Sequence, residues 1–395
     1  MFGSGSSQVR VLLASVLKPV DDTRMRGKFA ETLRERLNVQ VHIAGRASAS
    51  AFPQDPAVAS SQVKQHPIFQ GSRLSLNRLT AQWRYWRLLQ VLRPALVIVH
   101  APELLPLTLL WQRLGRGRQF LYDIRENYAL NVSTQRVYQG LTRRWLAAGL
   151  RWVEGWAARQ ASGLLLAEES YVTELPFLRE LPPERVVVLE NKYQPAPGEA
   201  PPTQARPHPM LHESLQLLYS GTISELNGIW EAIALAQALA TTWPGSAHCT
   251  IIGFCQQPGL LQRLQDTVAQ QPALFTLIGG AEPVPHAAIV GAIAHSHLGL
   301  LPYRPHPSTE RCRPTKLFEY LALGLPILIP RNALWAKTMG QHGGGMMLEL
   351  TPVDETATQV RNAFEHCRFY PNGLPKEALW TGEGKKLWHL LDTVI

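Results

Sequence analysis

Cysteine is scarce: the 395 residues hold four, at Cys249, Cys255, Cys312 and Cys367, and none stands in a Cys-x-x-Cys spacing. Neither a zinc ribbon nor a disulfide framework fits that pattern, and a reducing cytoplasm is the expected compartment. The 13 histidines form no His-Glu-x-x-His or comparable cluster. Metal catalysis therefore has no direct support, and no metal or cofactor is expected. His100 and His295 read as packed or surface side chains rather than ligands. No apolar run reaches the ~18 residues that would mark a membrane span. The longest candidate, 95–111, is broken by His100, Pro102, Glu103 and Pro106. Met1 to Ser7 carries neither the basic nor the apolar region of a secretory leader.

What is present is ample core and an uneven charge. Apolar content of 45% is that of a globular protein, and 395 residues exceed what one core usually serves, so two domains are expected. Through Lys192 the chain holds 26 Lys and Arg against 15 Asp and Glu, leaving 13 against 15 for the remainder, so the net charge of +9 belongs to the N-terminal half. Such asymmetry points to an anionic partner for that half, whether membrane lipid, a lipid-linked phosphate or nucleic acid. No nucleic-acid reading motif is recognisable, and that partner is set aside.

Apolar runs of strand length alternate with helical periodicity in both halves. In 1–192, strands are expected at 9–14, 39–44, 95–99, 119–124, 163–167 and 186–189. The helices of that half are a Met25, Phe29, Leu33, Leu37 pattern and segments at 74–92, 104–114 and 133–159, with 45–73 as a long loop. This is the rhythm of a parallel α/β sheet, whose ligands gather at the carboxyl ends of the strands. Residues 193–213, with six prolines, read as a semi-extended linker. The alternation restarts in 214–374, with strands at 215–219, 248–252, 275–278, 298–301, 327–329 and 346–350, and a terminal helix is expected in 375–395.

The most informative stretch is Arg313-Pro314-Thr315-Lys316-Leu317-Phe318-Glu319-Tyr320-Leu321-Ala322-Leu323-Gly324-Leu325-Pro326-Ile327. Pro314 suits the first helical position, and Gly324 with Pro326 ends the helix. The first amides of a helix lack internal partners, so those around Thr315 and Lys316 form an anion site to which Lys316 adds a full charge. Glu319, one turn on, is placed to accept hydrogen bonds from vicinal hydroxyls such as a ribose presents. A solvated Lys-x-x-Glu pair on a surface helix is the plainer alternative. The whole string, however, closely resembles the nucleotide-sugar segment of bacterial GT-B glycosyltransferases of the glycogen-synthase-like "glycosyl transferases group 1" superfamily, family 4-like. The resemblance implies an α/β fold of GT-B type, two Rossmann-like domains facing a central cleft, with the terminal helix packing back on the first domain. It also implies that Glu319 contacts the donor ribose.

Further segments carry the same resemblance. Tyr219-Ser220-Gly221-Thr222, followed by Asn227-Gly228 and a helix, matches the family's phosphate-contacting segment, with Gly221 and Thr222 as donor-binding candidates. Many members have an Arg after that Gly and a Lys before the second. Here those places are Thr222 and Asn227, so Lys316, helped by Arg311 and Arg313, is expected to supply the charge that a departing diphosphate needs. The Glu that many members carry eight positions before the ribose-binding one is replaced by Arg311, with Glu310 one residue off, and the loop Tyr303 to Glu310 is expected to wall the sugar. Gly253 and Gly279 end strands where relatives frame the base, or are ordinary turn glycines.

On the N-terminal side, Lys18, Asp21, Asp22 and Arg24 follow the first strand and read as acceptor-side residues, the aspartates also as caps for the next helix. Tyr122-Asp123-Ile124-Arg125-Glu126 resembles the family's Tyr-Asp-x-His-Glu segment, which makes Asp123 and Glu126 catalytic candidates; the alternative is a structural ion pair through Arg125. Glu168, Glu169 and 190–193 rank behind them. Two basic-aromatic segments, Leu76 to Leu89 with Arg78, Arg84 and Arg87, and Arg143 to Trp156, suit a membrane interface or, alternatively, face the core.

The expected activity is transfer of a sugar, by resemblance a retaining hexosyl transfer, from a nucleotide diphosphate sugar to a glycan or lipid-linked acceptor in cell-surface polysaccharide biosynthesis. The site would be cytoplasmic or on the inner membrane face. The rivals are a nucleotide-sugar 2-epimerase and a non-catalytic GT-B-like scaffold, the latter favoured by the missing cations at Thr222 and Asn227.

Overall fold

The computed structural model describes residues 8–394 except 37, 49–62, 73–74, 131–139 and 308, and the backbone alone at 140–143. Leu37, the start of the helix expected from Ser133, Arg143 and Ser308 thus lie outside the described residues or side chains. Contacts divide the chain into two units, 1–194 joined by 380–395, and 195–379.

The first unit is built on a seven-stranded sheet in the order β3-β2-β1-β4-β5-β6-β7. Its strands are β1 (Val9–Pro19), β2 (Val39–Arg46), β3 (Val63–Phe69), β4 (Leu96–Val99), β5 (Gln119–Ile124), β6 (Gly163–Leu166) and β7 (Val186–Val188). All pair in parallel. Strand β3 corrects the expectation of a continuous loop over 45–73. Its composition, with Lys64, Gln65, His66 and Pro67, hides a strand that can hold Pro because it sits at the sheet edge. Strand β1 also runs past Ala14 to Pro19, with a register shift before Pro19 pairs with Arg46.

Helices α1 (Glu31–Arg34), α2 (Asn77–Leu92), α3 (Leu105–Arg113) and α4 (Gly140–Gln160) connect the strands, α1 being preceded by π-helical Thr23–Ala30. The connections through α2, α3 and α4 all step the same way across the sheet, whereas those from β1 to β2 to β3 step the other way. Right-handed crossovers then put α2, α3 and α4 on one face and the Thr23–Arg34 segment on the other. That second face is closed by the end of the chain. Trp380, Leu387, Leu390 and Leu391 share a core with Met25, Phe29, Leu33, Val11 and Leu13. Trp380 Nε1 donates to Thr32 Oγ1 at 2.9 Å, just before the last helix, Thr381–Val394.

The second unit holds a six-stranded parallel sheet in the order β10-β9-β8-β11-β12-β13. Its strands are β8 (Leu215–Ile223), β9 (Ala247–Cys255), β10 (Phe275–Gly280), β11 (Leu298–Leu300), β12 (Ile327–Ile329) and β13 (Gly345–Met347). Its helices are α5 (Ile229–Thr242), α6 (Pro258–Gln270), α7 (His286–Ala294), α8 (Thr315–Ala322), α9 (Ala333–Gly340) and α10 (Val353–His366), after which the closing helix Thr381–Val394 becomes α11. The proline-rich stretch expected as a spacer packs on this unit from Pro195 onward. His208 meets Phe364 edge-on and Phe369 at a tilt, and the Glu213 carbonyl accepts from Trp243 Nε1 at 2.9 Å. Prolines donate no backbone hydrogen bonds, so such a chain can be held by side-chain contacts without joining a sheet.

Candidate nucleotide-sugar site and its counterpart in the first unit

In the second unit, three strands carry a row of glycines near their carboxyl ends. Gly221 pairs in register with Gly253, and Gly253 with Gly279. These residues were expected at turns; instead β8, β9 and β10 extend through them. Backbone contact requires glycine at two of them and conformation at the third. A side chain at Gly253 would overlap the Gly221 carbonyl oxygen and one at Gly279 the Gly253 carbonyl oxygen, while Gly221, beside the end of the Lys316 side chain, has φ +92°. The row leaves bare backbone where a ligand can approach closely.

Lys316 therefore lies across Gly221, and its Nζ donates to the Tyr303 hydroxyl at 3.1 Å, 5.7 Å from the centre of that ring. Tyr303 is held edge-on by Trp335 at 5.4 Å, and Trp335 Nε1 donates to the Cys312 carbonyl at 2.7 Å. The position of Lys316 is set by α8, which begins at Thr315 with Pro314 as its cap residue, one place earlier than the expected first helical position. Pro314 has φ −65° and ψ 145°, an extended conformation that turns the chain into the helix without needing an amide donor. Tyr320 pins α8 to β8 through a 2.8 Å hydrogen bond with Ser220 Oγ, and burial pushes its phenol far above the usual range. Gly324, at φ +69°, closes the helix.

One turn beyond Lys316, Glu319 is buried, with Oε1 2.8 Å from Nε2 of His286, the first residue of α7. Sequence reading missed His286 because nothing in the 285–295 pattern distinguishes a histidine that meets a carboxylate 33 positions later. Thr222 has its carbonyl engaged by Asn227 Nδ2 at 2.9 Å and by the Tyr219 hydroxyl at 3.1 Å. Asn227 thus fixes the loop after β8 rather than supplying charge. Arg313 stands two residues before α8 and is partly buried, while Arg311 is exposed. In the sugar-wall loop, Arg304 donates to Glu231 at 2.6 Å and the Glu310 carbonyl accepts from Asn332 Nδ2.

The counterpart edge of the first unit is organised differently. Arg24 and Asp123 are both fully buried and form a two-pronged ion pair, Nη2 to Oδ1 at 2.6 Å and Nε to Oδ2 at 2.8 Å. Arg24 also donates to the Leu189 carbonyl at 2.9 Å and to Asn191 Oδ1 at 2.8 Å, and its guanidinium lies 5.1 Å from the Phe29 ring. His100 Nδ1 donates to Asp123 at 2.7 Å. Burial alone would raise the Asp123 carboxyl, but Arg24 and His100 more than offset it and hold the group well below the usual carboxylate range. Arg24, expected on the acceptor side, and Asp123, a catalytic candidate, thus engage each other inside the core.

Asp22 is likewise engaged within the unit. Its Oδ1 accepts from the amides of Arg24 at 3.1 Å and Met25 at 3.0 Å, and Arg125 grips both its oxygens at 2.8 and 3.1 Å. Capping and the Arg125 ion pair, both weighed from the sequence, occur on the same carboxylate. Asp21 accepts from Ser48 Oγ at 2.5 Å. Lys18 and Glu126, 3.4 Å apart and each about two-fifths exposed (38% and 42%), are the pair at this edge that remains accessible. Glu190 and Lys192 join Glu383 of α11, the Lys192 to Glu383 contact being 2.6 Å, and so tie the end of the chain to β7. Among the described residues no group of three His, Cys, Asp or Glu is placed to hold a metal ion, and no helix is long and apolar enough to cross a membrane.

Comparison with known proteins agrees with this layout. Residues 24–192 match the family model of the glycosyl transferase 4-like domain. Anabaena HepE, solved in complex with UDP and glucose, aligns over 98% of this chain and 100% of its own at 13% identity and a TM-score of 0.61. A sucrose-phosphate synthase from Thermosynechococcus elongatus aligns over 98% and 96% at 12% identity and 0.61. UDP-GlcNAc 2-epimerase from Neisseria meningitidis, solved with UDP-GlcNAc, aligns over 98% and 100% at 15% identity and 0.58. No curated protein matches in sequence. At these identities the structures establish the fold, two Rossmann-like α/β units of GT-B type.

Proposed function

We propose that the protein transfers a sugar from a nucleoside diphosphate sugar to a glycan or lipid-linked acceptor, with retention of anomeric configuration and without a metal. The observation that carries this reading is the placement of Lys316 across the bare backbone of Gly221, one turn before the buried Glu319. In this reading the diphosphate rests on the glycine row at the start of α8, where helix amides and Lys316 stabilise negative charge as the nucleotide leaves. Glu319, oriented by His286, accepts the ribose hydroxyls. Tyr303 holds Lys316 over the glycine row, which replaces the cations absent at Thr222 and Asn227 with one pre-positioned group. Glu126, paired with Lys18, is an accessible carboxylate at the acceptor-side edge and takes the role first shared with Asp123. An acceptor carried on a polyprenyl phosphate would place the reaction at the inner face of a membrane, in the making of a surface polysaccharide.

Calorimetric titration with UDP and GDP tests the donor site. One nucleotide is expected to bind, and Lys316→Ala and Glu319→Ala are each expected to weaken it by at least tenfold, the loss of a hydrogen bond to a charged group. Wild-type protein that binds neither nucleotide would favour the scaffold reading. The epimerase reading, a rival from the sequence whose fold the Neisseria structure shares, predicts conversion of a UDP-sugar without any acceptor, which proton NMR of the donor would reveal. The same spectra of a transfer product report whether the anomeric configuration is retained.

A further inference from the structure

We propose that the outer face of α2, α3 and α4 is a docking surface for an anionic lipid bilayer. The proposal extends the lipid-linked acceptor reading by naming the surface, and its test does not require sugar transfer.

Among the described residues, nine of the thirteen exposed large hydrophobic side chains lie on or at the ends of these three helices, so the exposure is a patch rather than scatter. On α2 the buried residues Ala81, Tyr85 and Leu89 form the inner face at four-residue spacing. Leu79, Trp83 and Val91, with Arg87 between the last two, occupy the opposite side, and Leu76 just before the helix is 82% exposed. The alternative of a core-facing stripe is thereby corrected for these residues. On α4, Trp145 and Trp152, seven residues and two turns apart, are 77% and 68% exposed. Helix α3 packs against both α2 and α4, and contributes Leu110 and Leu114 between them. Three neighbouring helices thus present one apolar surface.

The helices themselves carry charge of nearly one sign, although Arg78 and Arg159 pair with Glu103 and Glu180 beside them. Segments 77–93, 105–118 and 144–160 contain a single acid, Glu154, and it is buried. Their basic residues are all arginines, among which Arg84, Arg87, Arg93, Arg113 and Arg144 are exposed. Arginine and tryptophan are also paired: Arg87 lies 5.6 Å from the Trp83 ring and Arg113 4.9 Å from that of Trp156, which stacks on Trp152 at 5.8 Å. Indole rings suit the headgroup boundary, and arginines reach from apolar surroundings to phosphate. A second copy of the chain fits less well, because a self-complementary contact would bring arginines against arginines.

The test is co-sedimentation with vesicles of phosphatidylcholine alone and of phosphatidylcholine mixed with phosphatidylglycerol. Wild-type protein is expected to sediment with the anionic vesicles, less so at high salt, and hardly with the neutral ones. Neutralising Arg84, Arg87 and Arg113 to Gln should weaken binding by about fivefold per charge. Changing Trp83, Trp145 and Trp152 together to Ser should remove most of the remainder; these side chains are exposed, and circular dichroism checks that the fold is kept. Absence of wild-type binding to anionic vesicles, or equal binding by the tryptophan variant, would overturn the proposal. So would a dimer in light scattering that the tryptophan changes dissolve, which would assign the surface to a second copy. Nucleotide titration of the same variants should be unchanged, so failure of the donor site and failure of this surface are read separately.

Discussion

Both units place a cation and a carboxylate near the carboxyl edge of a parallel sheet, and they use them in opposite ways. In the first unit Arg24 and Asp123 close on each other at 2.6 Å inside the core, and Asp22 and Arg125 repeat the arrangement beside them. In the second, Lys316 and Glu319 are one turn apart on α8 and do not meet: Lys316 reaches a tyrosine hydroxyl and Glu319 a histidine. Charges that neutralise each other stiffen a scaffold, whereas charges held by neutral or titratable partners keep their field for a ligand. Each unit supplies cations and carboxylates, and the difference lies in what each of them meets.

The contrast can be broken most forcefully at Asp123. Asp123→Asn strands Arg24 in the core and is expected to cost about 3–5 kcal/mol of stability, read from chemical denaturation. Nucleotide affinity of the surviving folded protein should be nearly unchanged. Lys316→Ala, by contrast, should cost affinity and leave the denaturation midpoint almost where it was.

A second effect, smaller, is a pH dependence specific to the first unit. Burial raises the Glu154 carboxyl to about 7, against the opposing pull of its hydrogen bond from Tyr122 at 2.7 Å and of Arg151. The folded state therefore favours the protonated acid. Its contribution is fully present below the unfolded value near 4.5 and is lost as pH rises through about 7, a change of up to about 3 kcal/mol. Glu154→Gln should flatten stability measured from about pH 5 to about pH 8; an unchanged slope would assign the dependence elsewhere.

The smallest expected effect sharpens the second unit. Gly221→Ala forces a side chain into a left-handed conformation and against Lys316, which should cost about 1 kcal/mol of stability. Nucleotide affinity should fall by more than that strain alone explains, because Lys316 is displaced. Calorimetry and denaturation on the same variant separate the two quantities.

The alternation of strands and helices and the Pro314 to Pro330 segment were legible because each rests on local rules: apolar periodicity, a proline at the start, a glycine at the end. Strand β3 was not, since an edge strand needs only one apolar face and tolerates Pro67 and polar neighbours. The registration of Gly221, Gly253 and Gly279 is a property of pairing between strands and leaves no trace in any one of them. His286 and Tyr303 acquire their roles from side chains that meet them only after folding. Arg24 shows the converse: it stands in a polar stretch after β1, yet Asp123, 99 positions away, draws it into the core.

Trp380 and α11 complete the core of a unit whose other residues all precede Pro195. On the ribosome, the half of the protein made first is the half finished last. It must wait, with Phe29, Leu33 and Thr32 uncovered, while the entire second unit is synthesised and emerges. Loss of the final 16 residues would therefore injure the opening domain rather than the one next to the break. Limited truncation at the carboxyl end should accordingly expose protease sites near the amino end.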